Sequence, residues 1–245
     1  MREGILYVVG IGPGEYEQMT IKAVNALQQS QVIVGYTVYV DLVRAHFPEK
    51  EYLSTPMTRE VERCRMAFEK AGEGQVVSMV CSGDPGIYGM AGLILELAPE
   101  YPRVTVEIIA GVTAASAGAA VLGAPVCHDF AVISLSDRLT SKEAIEKKLE
   151  HAAMSDMAVC LYNPSSRQRK GYLKWACDIV GRYQGPKTVC GLVRNIGRQG
   201  QHREIMTLEE LADAEADMFT TVYIGNSRTV EIEGRMVTPR GYRHV

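Results

Sequence analysis

The stretch Val77-Ser78-Met79-Val80-Cys81-Ser82-Gly83-Asp84-Pro85-Gly86-Ile87-Tyr88-Gly89 constrains this chain most, because an apolar run of strand length stops at residues that no regular element continues through. It reads as a buried strand, a tight loop at Ser-Gly-Asp-Pro-Gly, and a helix from Gly89 to Leu97 that Pro99 and Pro102 close. Open α/β sheets bind ligands beyond the carboxyl ends of their strands, where backbone groups are not consumed by the ladder. Asp-Pro-Gly is equally ordinary turn chemistry, so the loop alone does not decide between a ligand site and a surface turn.

Two other stretches have the same form. Ile5 to Val9 runs into Gly10-Ile11-Gly12-Pro13-Gly14, then a helical pattern in which Ile21, Val24 and Leu27 recur at threes behind Thr20, a predicted N-cap. Val104 to Ile109 alternates as a strand and runs into Ala110-Gly111-Val112-Thr113-Ala114-Ala115-Ser116-Ala117-Gly118, whose small residues suit a helix start packed closely on a sheet or a ligand. The Gly10-x-Gly12 loop is a poor dinucleotide fingerprint: the third glycine is missing, Pro13 stiffens the turn, and the strand Val32 to Tyr36 ends without an acidic residue for a ribose. A P-loop is excluded by the lack of Gly-Lys-Ser/Thr. Between these stretches, Thr58 to Ala71 reads as a helix with Val61, Cys64 and Phe68 on one face.

The rhythm pauses at Gly123-Ala124-Pro125 and restarts at Phe130 to Ser134, which predicts two domains, 1–125 and 126–245. Thr140 and Glu143 have capping-box spacing before the next helix. Met157 to Tyr162 is a strand ending in Asn163-Pro164-Ser165-Ser166-Arg167, followed by a helix with Leu173, Ala176, Cys177 and Val180 on one face. Lys187 to Val193 is another strand, ending in Arg194-Asn195-Ile196-Gly197-Arg198. From Glu204 onward the pattern turns to short strands and hairpins, Thr220 to Ile224, Thr229 to Ile232 and Met236-Val237, with a loose tail from Arg240. The fold class is α/β, with a largely parallel first sheet and a mixed second one.

At 245 residues and 47% apolar composition the chain can bury one large core or two smaller ones. A net charge of -3 argues against non-specific nucleic-acid binding. The six cysteines are scattered, with no metal-ligand spacing, and suit core thiols in a reducing cytoplasm. No signal-peptide pattern precedes Ile5, and no apolar run has membrane-spanning length, so neither secretion nor a membrane is expected.

Taken together, Val9 to Gly14, Ser82 to Gly89 and Gly111-Val112-Thr113-Ala114-Ala115 resemble the tetrapyrrole methyltransferase family of corrin and sirohaem biosynthesis, in matching order along nearly all of the chain. Ser134-Leu135-Ser136-Asp137, Leu161-Tyr162-Asn163-Pro164, Val193-Arg194-Asn195, Thr220-Thr221-Val222 and Val237-Thr238-Pro239-Arg240-Gly241-Tyr242 are similar to its C17-methylating branch, which acts on precorrin-3B or cobalt-factor III. The resemblance implies two α/β domains, S-adenosylmethionine (SAM) in the cleft between them, a homodimer, and ring contraction with extrusion of C20.

It further implies that SAM is held by Gly83, Asp84, Pro85, Ile87, Tyr88, Thr113, Ala114, Leu161, Tyr162, Arg194 and Thr221, with Pro13 nearby. The first glycine loop, including Gly12, would line the substrate side. Ser136, Asp137 and His128 are the candidates for acid or base assistance to contraction. Arg138, Arg167, Arg194 and Arg198 are those for the substrate's carboxylates. No metal ligands are expected. Arg138-Leu139-Thr140-Ser141-Lys142 departs from the more apolar continuation of this branch. The alternatives are a sister enzyme methylating another ring carbon, a nicotinamide-binding oxidoreductase, and a non-catalytic tetrapyrrole-binding protein.

Overall fold

Residues 4–166 and 168–242 are described in a computed structural model. By their contacts they fall into two units, Met1–Thr113 and Ala114–Val245. The first contains β1 (Gly4–Gly10), α1 (Ile21–Gln29), β2 (Val32–Tyr36), α2 (Thr37–Arg44), β3 (Glu51–Thr55), α3 (Glu60–Gly72), β4 (Val76–Cys81), α4 (Ala91–Leu97) and β5 (Val104–Ile109). Its five strands are all parallel, in the order β3-β2-β4-β1-β5. Side-chain alternation divides the core into two layers. Leu6, Val8, Val77 and Met79 face α3 and α4, whereas Val9, Ile33, Val80 and Ile109 face α1 and α2. Neighbouring β1 and β4 therefore send their connections to opposite faces of the sheet, the arrangement that opens a crevice at the carboxyl edge of a doubly wound sheet.

Thr20 caps α1 as expected, its hydroxyl accepting from the Ala23 N–H at 3.1 Å. The apolar face differs from the predicted one: Ala23, Ala26 and Leu27 are buried and Ile21 is 81% exposed. A repeat of three drifts around a helix of 3.6 residues per turn, so Ile21 and Leu27 cannot share a face. In α3, Cys64 and Phe68 are buried while Val61 is 51% exposed, and Arg63 takes the buried position of that first turn. α4 starts at Ala91 rather than Gly89, because Gly89 lies against the Pro85 backbone and the Ala91 N–H donates to the Pro85 carbonyl. The sequence pattern does not announce α2 or the polar edge strand β3.

The second unit contains α5 (Ala114–Leu122), β6 (Gly123–Ala124), β7 (Phe130–Ser134), α6 (Lys142–Met154), β8 (Ala158–Tyr162), α7 (Tyr172–Val180), β9 (Val189–Arg194), β10 (His202–Thr207), α8 (Leu208–Leu211), β11 (Thr220–Ile224), β12 (Val230–Ile232) and β13 (Arg235–Val237). Its main sheet, β10-β9-β11-β8-β7, is mixed as expected: β7 and β8 are parallel and every other pair is antiparallel. A small sheet joins β12, β13 and β6. α6, α7 and α8 bury one face of the main sheet around Ile145, Leu149, Ala176 and Leu211. Ser141 caps α6, accepting from the Ala144 N–H, so the predicted Thr140 cap is displaced by one residue. The capping box of this unit is Thr207 with Glu210.

The small-residue segment after β5 becomes α5, packed on the main sheet. A Cβ at Gly118 would lie 2.4 Å from the Tyr223 hydroxyl, and that buried hydroxyl donates to the carbonyls of Ala114 and Ala115 at 2.7 and 3.0 Å. Burial raises the Tyr223 pKa well above its ordinary value, so it stays a donor. This packing explains why the contacts divide after Thr113, ahead of the Gly123-Ala124-Pro125 pause.

Gly118→Ala should lower stability by about 1–3 kcal/mol through overpacking. Tyr223→Phe should lower it by about 1–2 kcal/mol through the lost hydroxyl bonds. In thermal or denaturant unfolding the double variant should be less destabilised than the sum, since removing the hydroxyl makes room for the methyl. Strict additivity would show that the two groups do not compete for the same space.

Candidate functional site

In the first unit, the ends of β1, β4 and β5 carry the three glycine-rich loops predicted from sequence, and register sets Gly10 beside Cys81 and Val9 beside Ile109. Two of the loops are bonded to each other. The Gly12 N–H donates to the Gly83 carbonyl at 3.2 Å, and the Gly83 N–H to the Gly12 carbonyl at 2.7 Å. Both glycines have positive φ, +71° and +68°, which a side chain would strain. The third loop joins through Asp84: one carboxylate oxygen accepts from the Gly86 N–H at 2.8 Å and the other from the Gly111 N–H at 3.0 Å. At this junction the backbones nearly touch, since a Cβ on Gly111 would fall 2.1 Å from the Gly83 carbonyl oxygen.

Of the residues predicted here, Gly12, Pro13, Gly83, Asp84, Pro85, Ile87, Tyr88 and Thr113 all lie on these loops. Gly12, Pro13, Gly83 and Pro85 are buried, whereas Ile87 and Tyr88 are exposed apolar side chains beside the junction, Tyr88 in the left-handed region at φ 55°. Both oxygens of Asp84 are engaged by backbone, which makes it a fastener of the loop.

In the second unit, antiparallel pairing brings the start of β11 to the same sheet edge as the ends of β8 and β9, with Thr220 opposite Arg194 and Val222 opposite Leu161. Leu161, Tyr162, Arg194 and Thr221 therefore share an edge, and the Tyr162 hydroxyl accepts the Ala115 N–H at 2.7 Å in the first turn of α5, next to Ala114. Arg194 is already engaged: its Nη2 donates to the Glu215 carbonyl at 3.0 Å, and its Nε lies 3.8 Å from Asp217 with no hydrogen bond of its own.

Ser136 and Asp137 follow β7 at this edge. Asp137 accepts from the Tyr172 hydroxyl at 2.7 Å and lies 3.8 Å from the Arg169 guanidinium. The Tyr172 hydrogen bond, more than the charges of Arg169 and Lys142, holds the Asp137 carboxyl below the usual carboxylate range, and Tyr172 is pushed up in return. His128 is not brought to them. It precedes β7, a strand-length away at roughly 16 Å, where its Nδ1 accepts the Asp129 N–H. Arg138 is exposed, and the Arg198 guanidinium lies 5.5 Å from the Phe219 ring centroid. Arg167 lies outside the described residues. Among the described residues no cluster of three or more His, Cys, Asp or Glu could hold a metal ion, and no helix is long and apolar enough to cross a membrane.

Sequence reasoning missed Tyr172, Arg169 and Arg63. The concentration of basic residues after Asn163-Pro164 was a usable signal for Arg169. Tyr172 and Arg63 sit in helices, whose periodicity says nothing of partners outside them: Asp137 for Tyr172, and Thr55 and Pro56 at the end of the polar strand β3 for Arg63.

The chain is similar along nearly its whole length to proteins of one kind. Residues 5–212 match the model of the Tetrapyrrole (Corrin/Porphyrin) Methylases. A Salmonella typhimurium protein named probable cobalt-factor III C(17)-methyltransferase is 44% identical over 239 residues, 97% of this chain and 99% of its own. The cobalamin biosynthesis protein CbiHC of Archaeoglobus fulgidus is 47% identical over 98% of this chain, which spans about half, 53%, of that relative. Among solved structures, the methyltransferase CobJ superposes with a TM-score of 0.88 at 35% identity, covering 96% of this chain and 100% of that one. With this likeness, and with the strand-end loops in their expected order, the chain belongs to the tetrapyrrole (corrin/porphyrin) methylase family.

Proposed function

We infer that this chain is a SAM-dependent C-methyltransferase of corrin-ring assembly, which methylates C17 of cobalt-factor III or precorrin-3B and contracts the macrocycle. The observation that carries this reading is the likeness to the Salmonella protein named probable cobalt-factor III C(17)-methyltransferase, which takes in 97% of this chain and 99% of that one. A homodimer and a cytoplasmic location belong to the same reading. The location is supported by six free cysteines, five of them buried thiols.

The first-unit edge fits SAM in kind: it offers close-packed backbone with exposed Ile87 and Tyr88 beside it, in place of a phosphate cradle. Bound SAM supplies an activated methyl on a sulfonium. The chain's own work is positioning, which can contribute roughly 7–11 kcal/mol when reacting atoms are held at near-attack distance. Asp84 serves this by fixing the loop that carries Pro85, Ile87 and Tyr88, and carbonyls at the strand ends favour a cation. Leu161, Tyr162, Arg194 and Thr221 are proposed as the second unit's share of the SAM site, with Thr113 and Ala114 at the start of α5. Gly12, Arg138, Arg167 and Arg198 are proposed to face the macrocycle.

For contraction we assign assistance to Ser136 and Asp137. As a carboxylate near neutral pH, Asp137 is placed to accept a proton, and the Tyr172 hydrogen bond orients it while weakening it as a base.

Anaerobic incubation with SAM and cobalt-factor III should add one methyl mass to the macrocycle. No gain there, with a gain on precorrin-3B in a parallel trial, would move the assignment to the metal-free route, and no gain on either would overturn it. Asp84→Ala should weaken binding of S-adenosylhomocysteine (SAH), read by calorimetry, by about tenfold or more, as expected for two lost charge-assisted bonds. The pH profile of turnover should not move, and a displaced profile would make Asp84 an acid or base.

Tyr172→Phe should raise the Asp137 pKa toward its ordinary value, measured by NMR titration. Since folding lowers this pKa, any stability Asp137 contributes is complete above the ordinary carboxylate range and is lost as pH falls through the lowered value. Asp137→Asn should leave methyl gain intact and slow contraction; equal loss of both would remove it from the contraction step.

A further inference from the structure

Arg63 is 5% exposed, in the first turn of α3, and has no carboxylate partner among the described residues. Its Nε donates to the Thr55 hydroxyl at 3.0 Å and its Nη2 to the carbonyls of Pro56 at 3.0 Å and Thr55 at 3.5 Å. The guanidinium carbon lies 5.9 Å from the Tyr36 ring centroid. All of these partners are uncharged. A buried cation without a counter-ion is costly, and at the amino end of a helix the macrodipole adds to that cost. The acidic residues of the same turn do not relieve it, since Glu62 pairs with Arg59 and Glu60 accepts the Thr58 N–H.

The remaining nitrogen, Nη1, makes no hydrogen bond among the described residues. It is also absent from the sealed, unpartnered side-chain atoms, which among those residues belong to Gln18, Gln75, Arg169 and Arg194, so it opens to solvent. Its place is the carboxyl edge of the first sheet. Register sets Thr55 opposite Tyr36 and Cys81 opposite Gly10, at the level where the three glycine loops leave the strands. Burial pushes the Cys81 thiol up to about 11 and the Arg63 charge opposes that shift, which puts the guanidinium near the end of β4. The loop after β4 leads to α4, on the same sheet face as α3.

We propose that Arg63 is an anion-binding residue of the first-unit site, held by Thr55 and Pro56 so that Nη1 receives a carboxylate of the bound ligand. This rests on the tetrapyrrole-methylating reading above, which offers two sources of that group: a peripheral carboxylate of the macrocycle, or the amino-acid carboxylate of SAM. It also names a cation that the arginines singled out from sequence do not include.

The test uses the wild-type protein and two variants. Phenylglyoxal labelling followed by peptide mass mapping should modify Arg63 in the free protein. Cobalt-factor III or SAH should protect it, and the protecting ligand identifies the source of the carboxylate. Arg63→Gln, checked for folding by thermal melting, should weaken binding of that same ligand by about tenfold or more, with Arg63→Lys recovering part of the loss. Arg63 unreactive in the free protein, or labelled equally when either ligand is bound, overturns the proposal even if the variants fail to fold. If wild-type protein binds SAH but methylates neither macrocycle, the C17 reading fails separately, and SAH protection still decides the role of Arg63.

Discussion

The strand ends of the first unit meet only because no side chain stands between them. Gly10 and Gly111 approach each other and the Gly83 carbonyl at distances that a Cβ on either would forbid, and the double Gly12–Gly83 bond and the Asp84 carboxylate then hold the three backbones there. Everything else at that edge follows from this junction. It fixes where the loop after β4 turns, exposes Ile87 and Tyr88, delays α4 to Ala91, and leaves close-packed backbone at the strand ends. Such a surface suits a ligand whose reactive centre needs placement more than proton transfer.

The second unit handles its strand ends with side chains. Tyr223 ties the start of α5 to β11 from inside the core, and Tyr162 accepts an N–H from the same helical turn. Arg194 is drawn to Glu215 and Asp217, and Asp137 to Tyr172 and Arg169. These pairings narrow the chemistry of the edge: Asp137 is held as a carboxylate, and Arg194 is tied through Nη2 to Glu215 while its buried Nε makes no hydrogen bond. Arg63 in the first unit contrasts with them, being a deeply buried cation served by neutral acceptors alone.

Much of this was legible from sequence because strands, caps and breakers are local. Apolar runs located β1, β4 and β7 and alternation located β5, Thr20 marked its own helix, and the glycine strings announced that the chain must turn sharply after three strands. The limits of local reading show equally in particular residues. Ile21 was misplaced by counting in threes on a 3.6-residue helix, and the polar edge strand β3 offered no pattern. Spacing put a capping box at Thr140, where Ser141 does the capping and Thr207 holds the box.

By itself, the sequence determined the α/β class, the parallel and mixed characters of the two sheets, the loops at the strand ends and, through motif order, the family. Tertiary structure alone decided that Asp84 fastens Gly86 and Gly111, that α5 belongs with the second unit, that His128 stands a strand-length from Asp137, and that Arg63 is a buried cation at the carboxyl edge of the first sheet. The physical reason is range. Periodicity and turn chemistry act over a few residues, whereas a carboxylate's hydrogen bonds or a cation's lack of a counter-ion depend on groups that only strand order and helix packing bring together.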